Sequence, residues 1–329
     1  MRTYSNHRFT RYLIIVLVSI GIGVAAVYYF SQDEPRTKRV VVAVKAMEEI
    51  EFWRVLIDGV NTAAREFGVE VTVIGPPREV EVDLQIELLE AALQQQPDAI
   101  VMAAGDFQRL VPVTEAIREA NIPLVMIDSA VEGKSARSLI ATDNYNAGQK
   151  AGQELAALLP PTAKVAIVSF VQGTSTQIDR ELGVRSVFEE IPGTEIVGTF
   201  YSEGMESVAY DVTKELLHEH PDLDGIVSLN EPSTVGAGRV IRELDLIGDV
   251  KLVGFDSSIK EVKLLEEGVL QSIVVQKPFS IGYLGLKTAV SVIDGAKVPP
   301  LIHTDSVVIN KENMYFEENQ KLLFPFVEE

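Results

Sequence analysis

Two apolar runs of this chain end on an aspartate. Leu124-Val125-Met126-Ile127 leads into Asp128, and Leu252-Val253-Gly254-Phe255 leads into Asp256. Each is preceded by a Pro-Asp stretch, Pro97-Asp98 before Ala99-Ile100-Val101 and Pro221-Asp222-Leu223-Asp224 before Gly225-Ile226-Val227. Asp98 and Asp128 lie 30 residues apart, Asp224 and Asp256 32. That interval holds one strand, a crossover helix and a second parallel strand, so the chain reads as two similar α/β halves. Ligands bind beyond the carboxyl ends of such strands. Two carboxylates facing one cleft suit a neutral molecule with many hydroxyl donors.

Other polar and aromatic candidates share that edge. Phe52 and Trp53 follow the first strand, Arg180 follows the loop Gln172-Gly173-Thr174-Ser175, Asn230 ends Val227-Ser228-Leu229, and Gln276 ends Ile273-Val274-Val275. A pyranose has apolar C–H faces that pack on aromatic rings and hydroxyls that need fixed donors and acceptors. Phe52 and Trp53 can supply the faces, Asp128 and Asp256 the acceptors, Arg180 a forked donor, and Asn230 and Gln276 both functions. Micromolar binding needs about −8 kcal/mol, which a dozen ligand atoms can supply. Each residue also has a plainer role: Trp53 as core, the aspartates as caps, Arg180 as a solvated helix charge, Gln276 as part of a hinge. Lys45 has little support in either role.

Alternating strands and amphipathic helices must position these groups. Strands are predicted at 39–44, 69–74, 99–103, 124–127, 164–169, 195–200, 225–229, 250–255 and 270–275. Trp53, Leu56, Ile57, Val60, Ala63, Ala64 and Phe67 form one helical face between the first two. The fold class expected is α/β with two lobes, each a parallel sheet flanked by helices. A short extended stretch should end near Thr142-Asp143-Asn144-Tyr145, with a helix beginning near Ala147. A helix over 279–294 and a strand near 303–309 then take the chain back to the first lobe and out again, giving three hinge strands. The domains read as 1–38 for tail, anchor and linker, 39–143 plus 277–304 for the N-terminal lobe, and 144–276 plus 305–329 for the C-terminal lobe.

At 329 residues with 47% hydrophobic content the chain can build two real cores. A formal net charge of −19 opposes attraction to nucleic acid. No cysteine is present, which removes disulfides, thiolate metal sites and lipid attached through cysteine. From Leu13 to Phe30 run 18 residues without a charge, long enough to span a thin hydrocarbon core as a single-pass anchor. A cleaved signal peptide is the competing reading, but no convincing small-x-small site precedes a polar junction. The globular part is expected outside the cytoplasm, held at the cell membrane by a short linker over 31–38.

The stretch from about 39 to 310 resembles the ribose/galactose-type periplasmic sugar-binding proteins of class I. The resemblance is carried by Phe52-Trp53 with Asp58-Gly59, Ala120-Asn121-Ile122-Pro123, Asp143-Asn144 with Gly148, Gly173-Thr174-Ser175 with Arg180, Asn230-Glu231, Gly254-Phe255-Asp256, and Gln276. It implies the periplasmic-binding-protein type I fold and a monosaccharide or related polyol as ligand. Partners would be the permease subunits of an ABC importer or, alternatively, a membrane sensor histidine kinase. No cofactor or metal is expected. Two departures stand out: ribose-type members have Asp-Arg where this chain has Asp128-Ser129, and Ile50-Glu51 replaces their Asn-Pro. An enzyme is not expected, since no activated nucleophile or HExxH pattern occurs. A glycosidase using Asp128 and Asp256 is the weaker alternative, because mobile lobes would hold two carboxylates poorly.

Overall fold

The computed structural model describes residues 12, 14, 16–22, 36–47 and 50–324. Runs of β-branched and aliphatic residues form the centre of two sheets. In the first, β1 (Arg39–Ala43), β2 (Glu70–Ile74), β3 (Ala99–Met102), β4 (Leu124–Ile127), β5 (Ser138–Thr142) and β11 (Leu301–Thr304) stand in the order β11-β5-β4-β3-β1-β2. In the second, β6 (Lys164–Ser169), β7 (Glu195–Tyr201), β8 (Gly225–Ser228), β9 (Lys251–Phe255), β10 (Ser272–Val275) and β12 (Val307–Asn310) stand in the order β12-β10-β9-β8-β6-β7. The two orders correspond strand for strand. Central strands such as β3, β4, β8 and β10 are buried along their whole length, as helices on both faces require. Edge strands β2 and β7 are only partly covered.

The repeated aspartates have matching jobs at both ends of the sheets. At the amino ends, Asp98 Oδ2 accepts the Arg39 N–H and Asp224 Oδ2 accepts the Lys164 N–H, each at 2.7 Å. These bonds tie β3 to β1 and β8 to β6 at equivalent places, and they explain the first aspartate of each copy. At the carboxyl ends, Asp128 has φ +58° and Asp256 has φ +74°. Their N–H groups donate to Ile140 and Val274 on the next strand, at 2.9 and 3.0 Å. Left-handed backbone is costly for most side chains but less so for Asp, which can hydrogen-bond locally.

The structure departs from the sequence reading in a few elements. The stretch before Thr142 is a full strand, β5, paired with both β4 and β11. The next helix, Asn144–Ala156, starts three residues earlier than expected, because the Asp143 side chain accepts from the Asn146 N–H and caps it. The single strand expected near 303–309 is two, β11 and β12, one in each sheet, and β12 runs antiparallel to β10. The helix Pro278–Ile293 lies between β10 and β11 in sequence and packs on β3, β4 and β5 of the first sheet. The chain thus passes between sheets after β5, after β10 and after β11.

The expected anchor over 13–30 falls largely outside the described residues. Of it, Ile14 and Val16 to Ile22 are helical, and among the described residues no helix is long and apolar enough to cross a membrane.

Two helix pairs pack so closely that glycine is required at the contact. In the second lobe the helix Asn144–Ala156 crosses the helix Ser175–Glu189. A Cβ on Gly148 would sit 2.2 Å from the Arg180 carbonyl oxygen, and one on Gly183 would sit 2.2 Å from that of Tyr145. The first lobe repeats the arrangement with Gly59 and Gly282 between the helices Glu51–Phe67 and Pro278–Ile293. Backbone atoms cannot yield as a flexible side chain would. Gly148→Ala should therefore destabilise the fold by about 1–3 kcal/mol, read as a lower midpoint in urea denaturation.

Candidate functional site

The carboxyl ends of both sheets meet at one cavity between the elements that carry the predicted site residues. All seven residues singled out in the sequence line it. Phe52 and Trp53 come from the first turn of the helix Glu51–Phe67 and pack edge to face, with ring centroids 5.0 Å apart. Asp128 comes from the end of β4, Asp256 from the end of β9 and Asn230 from the residue two beyond β8. Gln276 stands immediately after β10, where the chain leaves the second sheet. Arg180 reaches in from the helix Ser175–Glu189 and is 3% exposed, so it is not a solvated helix charge. Trp53 is both core and site: it belongs to the first lobe's apolar cluster and lines the cavity.

Each polar group is held by the fold. Arg180 donates from Nε to Asn144 Oδ1 at 2.9 Å and from Nη1 to the Leu229 carbonyl at 2.7 Å, with its guanidinium 4.6 Å from the Phe255 ring centroid. Those contacts fix the plane of its remaining donors. Gln276 donates to Asp256 Oδ1 at 2.6 Å and accepts from Thr142 Oγ1 at 2.8 Å, which connects the second lobe's carboxylate to the last residue of β5. Asp256 Oδ2 accepts the N–H of Glu231, the first residue of the helix Glu231–Glu243. Asn230 caps that helix by accepting from the Ser233 N–H at 3.1 Å. The capping role considered for Asp128 is absent: its carboxylate pairs with Lys45, Nζ to Oδ2 2.9 Å, both side chains under a twentieth exposed.

Lys45, to which the sequence gives little support in either role, therefore lines the cavity as well. Its ammonium lies 5.4 Å from the Trp53 ring centroid and 5.9 Å from that of Phe170, a side chain of the other lobe. Glu79, Phe170 and Thr176 also line the cavity and were missed. Position just beyond β1 was a usable signal for Lys45; nothing local marked Glu79. The lobes also touch at the rim, where the Phe107 N–H donates to the Gly173 carbonyl and the Ala130 N–H to Ser175 Oγ, both at 2.8 Å.

Behind Asp256 sits a group of acids. Burial pushes Asp256 up and Arg180 opposes the rise most strongly. Glu231 is pushed up to about 8, first by burial, then by the charges of Asp256 and Glu51, while the Glu51 backbone N–H and Ser258 favour its ionised form. Glu261, wholly buried, is raised well above the ordinary carboxylate value by burial, Glu231 and Asp256. Oε2 of Glu231 and Oε1 of Glu261 have no hydrogen-bond partner among the described residues.

A family model for the periplasmic binding protein domain matches residues 40–297. The D-ribose/D-allose-binding protein of Pseudomonas aeruginosa is 24% identical over 304 residues, which cover 90% of this chain and 93% of that protein. Among solved structures, a carbohydrate transporter solute-binding protein from Agrobacterium radiobacter in complex with D-arabinose superposes with TM-score 0.84 at 28% identity, covering 88% of this chain and 99% of its own. An ABC transporter solute-binding protein from Agrobacterium vitis with bound D-fucose gives TM-score 0.84 at 30% identity, covering 87% and 99%.

The acid group makes stability depend on pH. Glu231 and Glu261 have folded-state values raised above their unfolded ones, so their contribution is fully present below about 4.5 and is lost as pH rises through the folded values. For Glu231 that window runs from the ordinary value of 4.5 to about 8. The melting temperature should fall between pH 5 and pH 8, and Glu231→Gln should flatten part of the slope. A melting temperature that rises over this interval in the natural chain would contradict the assignment.

Proposed function

The chain belongs to the periplasmic binding protein domain family, and from that premise we propose that it binds a monosaccharide between its two lobes and presents it to an ABC importer. The carrying observation is the cavity itself. An aromatic pair, two carboxylates from equivalent strand ends, a lysine, an arginine and two amides converge on one cavity. This set matches a sugar's needs: ring faces for C–H surface, and acceptors and donors in fixed planes for hydroxyls. In this reading Phe52 and Trp53 stack on the ring, Asp128 and Asp256 accept from hydroxyls, and Arg180, Asn230 and Gln276 complete the shell.

The lobes we assign are 39–143 with 277–304 and 144–276 with 305–329. The three passages between sheets serve as the hinge, and the rim contacts at Phe107 and Ala130 belong to the closed form. Importer docking is favoured over a report to a sensor histidine kinase because both similar structures are of transporter solute-binding proteins. Residues 13–30 we take as a membrane tether that keeps the globular part outside the cytoplasm and close to its partner. N-terminal sequencing of membrane-fraction protein checks this: an intact start supports a tether, and a start after Ala26 means cleavage.

Asp128→Ala and Asp256→Ala should each weaken sugar binding by about 1.5–3 kcal/mol, the usual range for hydrogen bonds to charged groups. Titration calorimetry with D-ribose, D-allose, D-arabinose and D-fucose measures it. A variant that retains the natural affinity would take its aspartate out of the binding set.

A further inference from the structure

The loop Gly75–Glu81 joins β2 to the helix Val82–Gln94 and carries Glu79 into the cavity wall. Pro76 and Pro77 stiffen it, and the Met47 N–H donates to the Pro76 carbonyl at 2.9 Å, pinning it beside the segment that bears Lys45. Glu79 is 9% exposed. Its Oε1 accepts the indole N–H of Trp53 at 2.9 Å. Its Oε2 is buried and has no hydrogen-bond partner among the described residues.

That leftover oxygen distinguishes Glu79 from the two strand-end acids. Asp256 has both oxygens engaged, by Gln276 and by the Glu231 N–H, while Oδ2 of Asp128, also without a hydrogen-bond partner among the described residues, has the Lys45 ammonium 2.9 Å away as its ion pair. A buried carboxylate oxygen without a donor is costly, because it has lost water and gained nothing. Trp53 needs only one acceptor, and a neutral glutamine would supply it equally well. The charge and second oxygen of Glu79 are therefore unexplained by the indole alone.

Position supplies the missing role. Glu79 and the Trp53 indole it bonds line the same cavity, so a ligand stacked on that ring would come close to the carboxylate. The second lobe closes over the same place. A Cβ on Gly204, in the loop after β7, would lie 3.5 Å from Oε2, and Arg78 Nη1 lies 3.9 Å from Met205 Sδ. Strands β2 and β7 hold equivalent places in the two sheets, so matching edges of the lobes meet above Glu79.

We propose that Glu79 is a ligand-binding and specificity-determining residue of this site, with Oε1 orienting the Trp53 indole and Oε2 accepting one hydroxyl of the bound monosaccharide. The inference rests on the sugar-binding reading above. It favours a sugar with a hydroxyl at the indole edge and disfavours the corresponding deoxy sugar, which would leave the charged oxygen unpaired.

The test uses the full chain and its Glu79→Gln and Glu79→Ala variants, titrated by calorimetry with D-ribose, D-allose, D-arabinose and D-fucose. Trp53 is the only tryptophan, so its fluorescence reports the site directly. For any sugar the natural chain binds, Glu79→Gln should weaken affinity about 10- to 100-fold. The unliganded emission should stay close to the natural spectrum, since the amide oxygen still accepts the indole N–H; Glu79→Ala should shift it. Monodeoxy derivatives of the best sugar locate the contact: one of them should bind the natural chain and Glu79→Gln with nearly equal affinity. The proposal is overturned by unchanged affinity in Glu79→Gln, or by a loss equal for the sugar and all its deoxy derivatives, which would mark a purely structural role. Failure of the natural chain to bind any of the four sugars would remove the sugar-binding reading, and this inference with it.

Discussion

Burying negative charge between two lobes is the constraint on which this structure depends. Asp128 and Asp256 are 4% and 7% exposed, each on a left-handed backbone at the end of a parallel strand. A carboxylate so placed is tolerated only when its charge and lone pairs are matched nearby. The two lobes solve this differently. The first uses a cation, Lys45, against Asp128; the second surrounds Asp256 with neutral donors, Gln276 and the Glu231 N–H, and sets Arg180 near enough to oppose the rise of its pKa. Equivalent strand ends thus carry the same residue in unequal electrostatic settings, which gives the cavity a polarity along the line joining them.

The packing that holds these groups is as demanding as the charges. Arg180 is placed by a helix whose backbone approaches Gly148 with no room for a Cβ, and its side chain is then fixed by Asn144, the first residue of the helix that carries Gly148. One helix pair therefore sets both the height and the plane of the guanidinium. Gln276 links Asp256 to Thr142, and Gln276 and Thr142 stand at two of the passages between sheets. Any rotation at those passages has to reorganise the same bonds that orient the carboxylate, so lobe movement and site geometry are mechanically joined.

Much of this was legible in the sequence because the signals were local or repeated. The matching Asp spacings marked equivalent strand ends, and apolar runs marked the central strands. What escaped had weaker local signatures. Strand β5, Ser138–Thr142, mixes Ser, Ala and Thr with only two large apolar residues and reads as merely extended. Asp305 and Ser306 lie outside regular structure and split what reads as one strand, and only the pairing of its two sides with different sheets reveals the break. Lys45 meets Asp128 across 83 residues of sequence, and Glu79 meets Trp53 across 26, from a proline-containing loop with no periodicity. Contacts of that kind arise from topology, which composition and spacing do not encode.

The exchange at Ser129 shows how the site adjusts. The resemblance to ribose-type members implies an arginine after the aspartate corresponding to Asp128, where this chain has Ser129. Ser129 instead turns inward, wholly buried, and its hydroxyl donates to the Ala104 carbonyl at 2.7 Å. The positive charge beside Asp128 comes from Lys45, at the end of another strand. A lysine ammonium is a compact charge with three donors on a flexible stem, whereas an arginine fork imposes a plane and two parallel bonds. The ammonium beside Asp128 is held against Trp53 and Phe170, so any hydroxyl that reached it would meet a point charge rather than a planar fork.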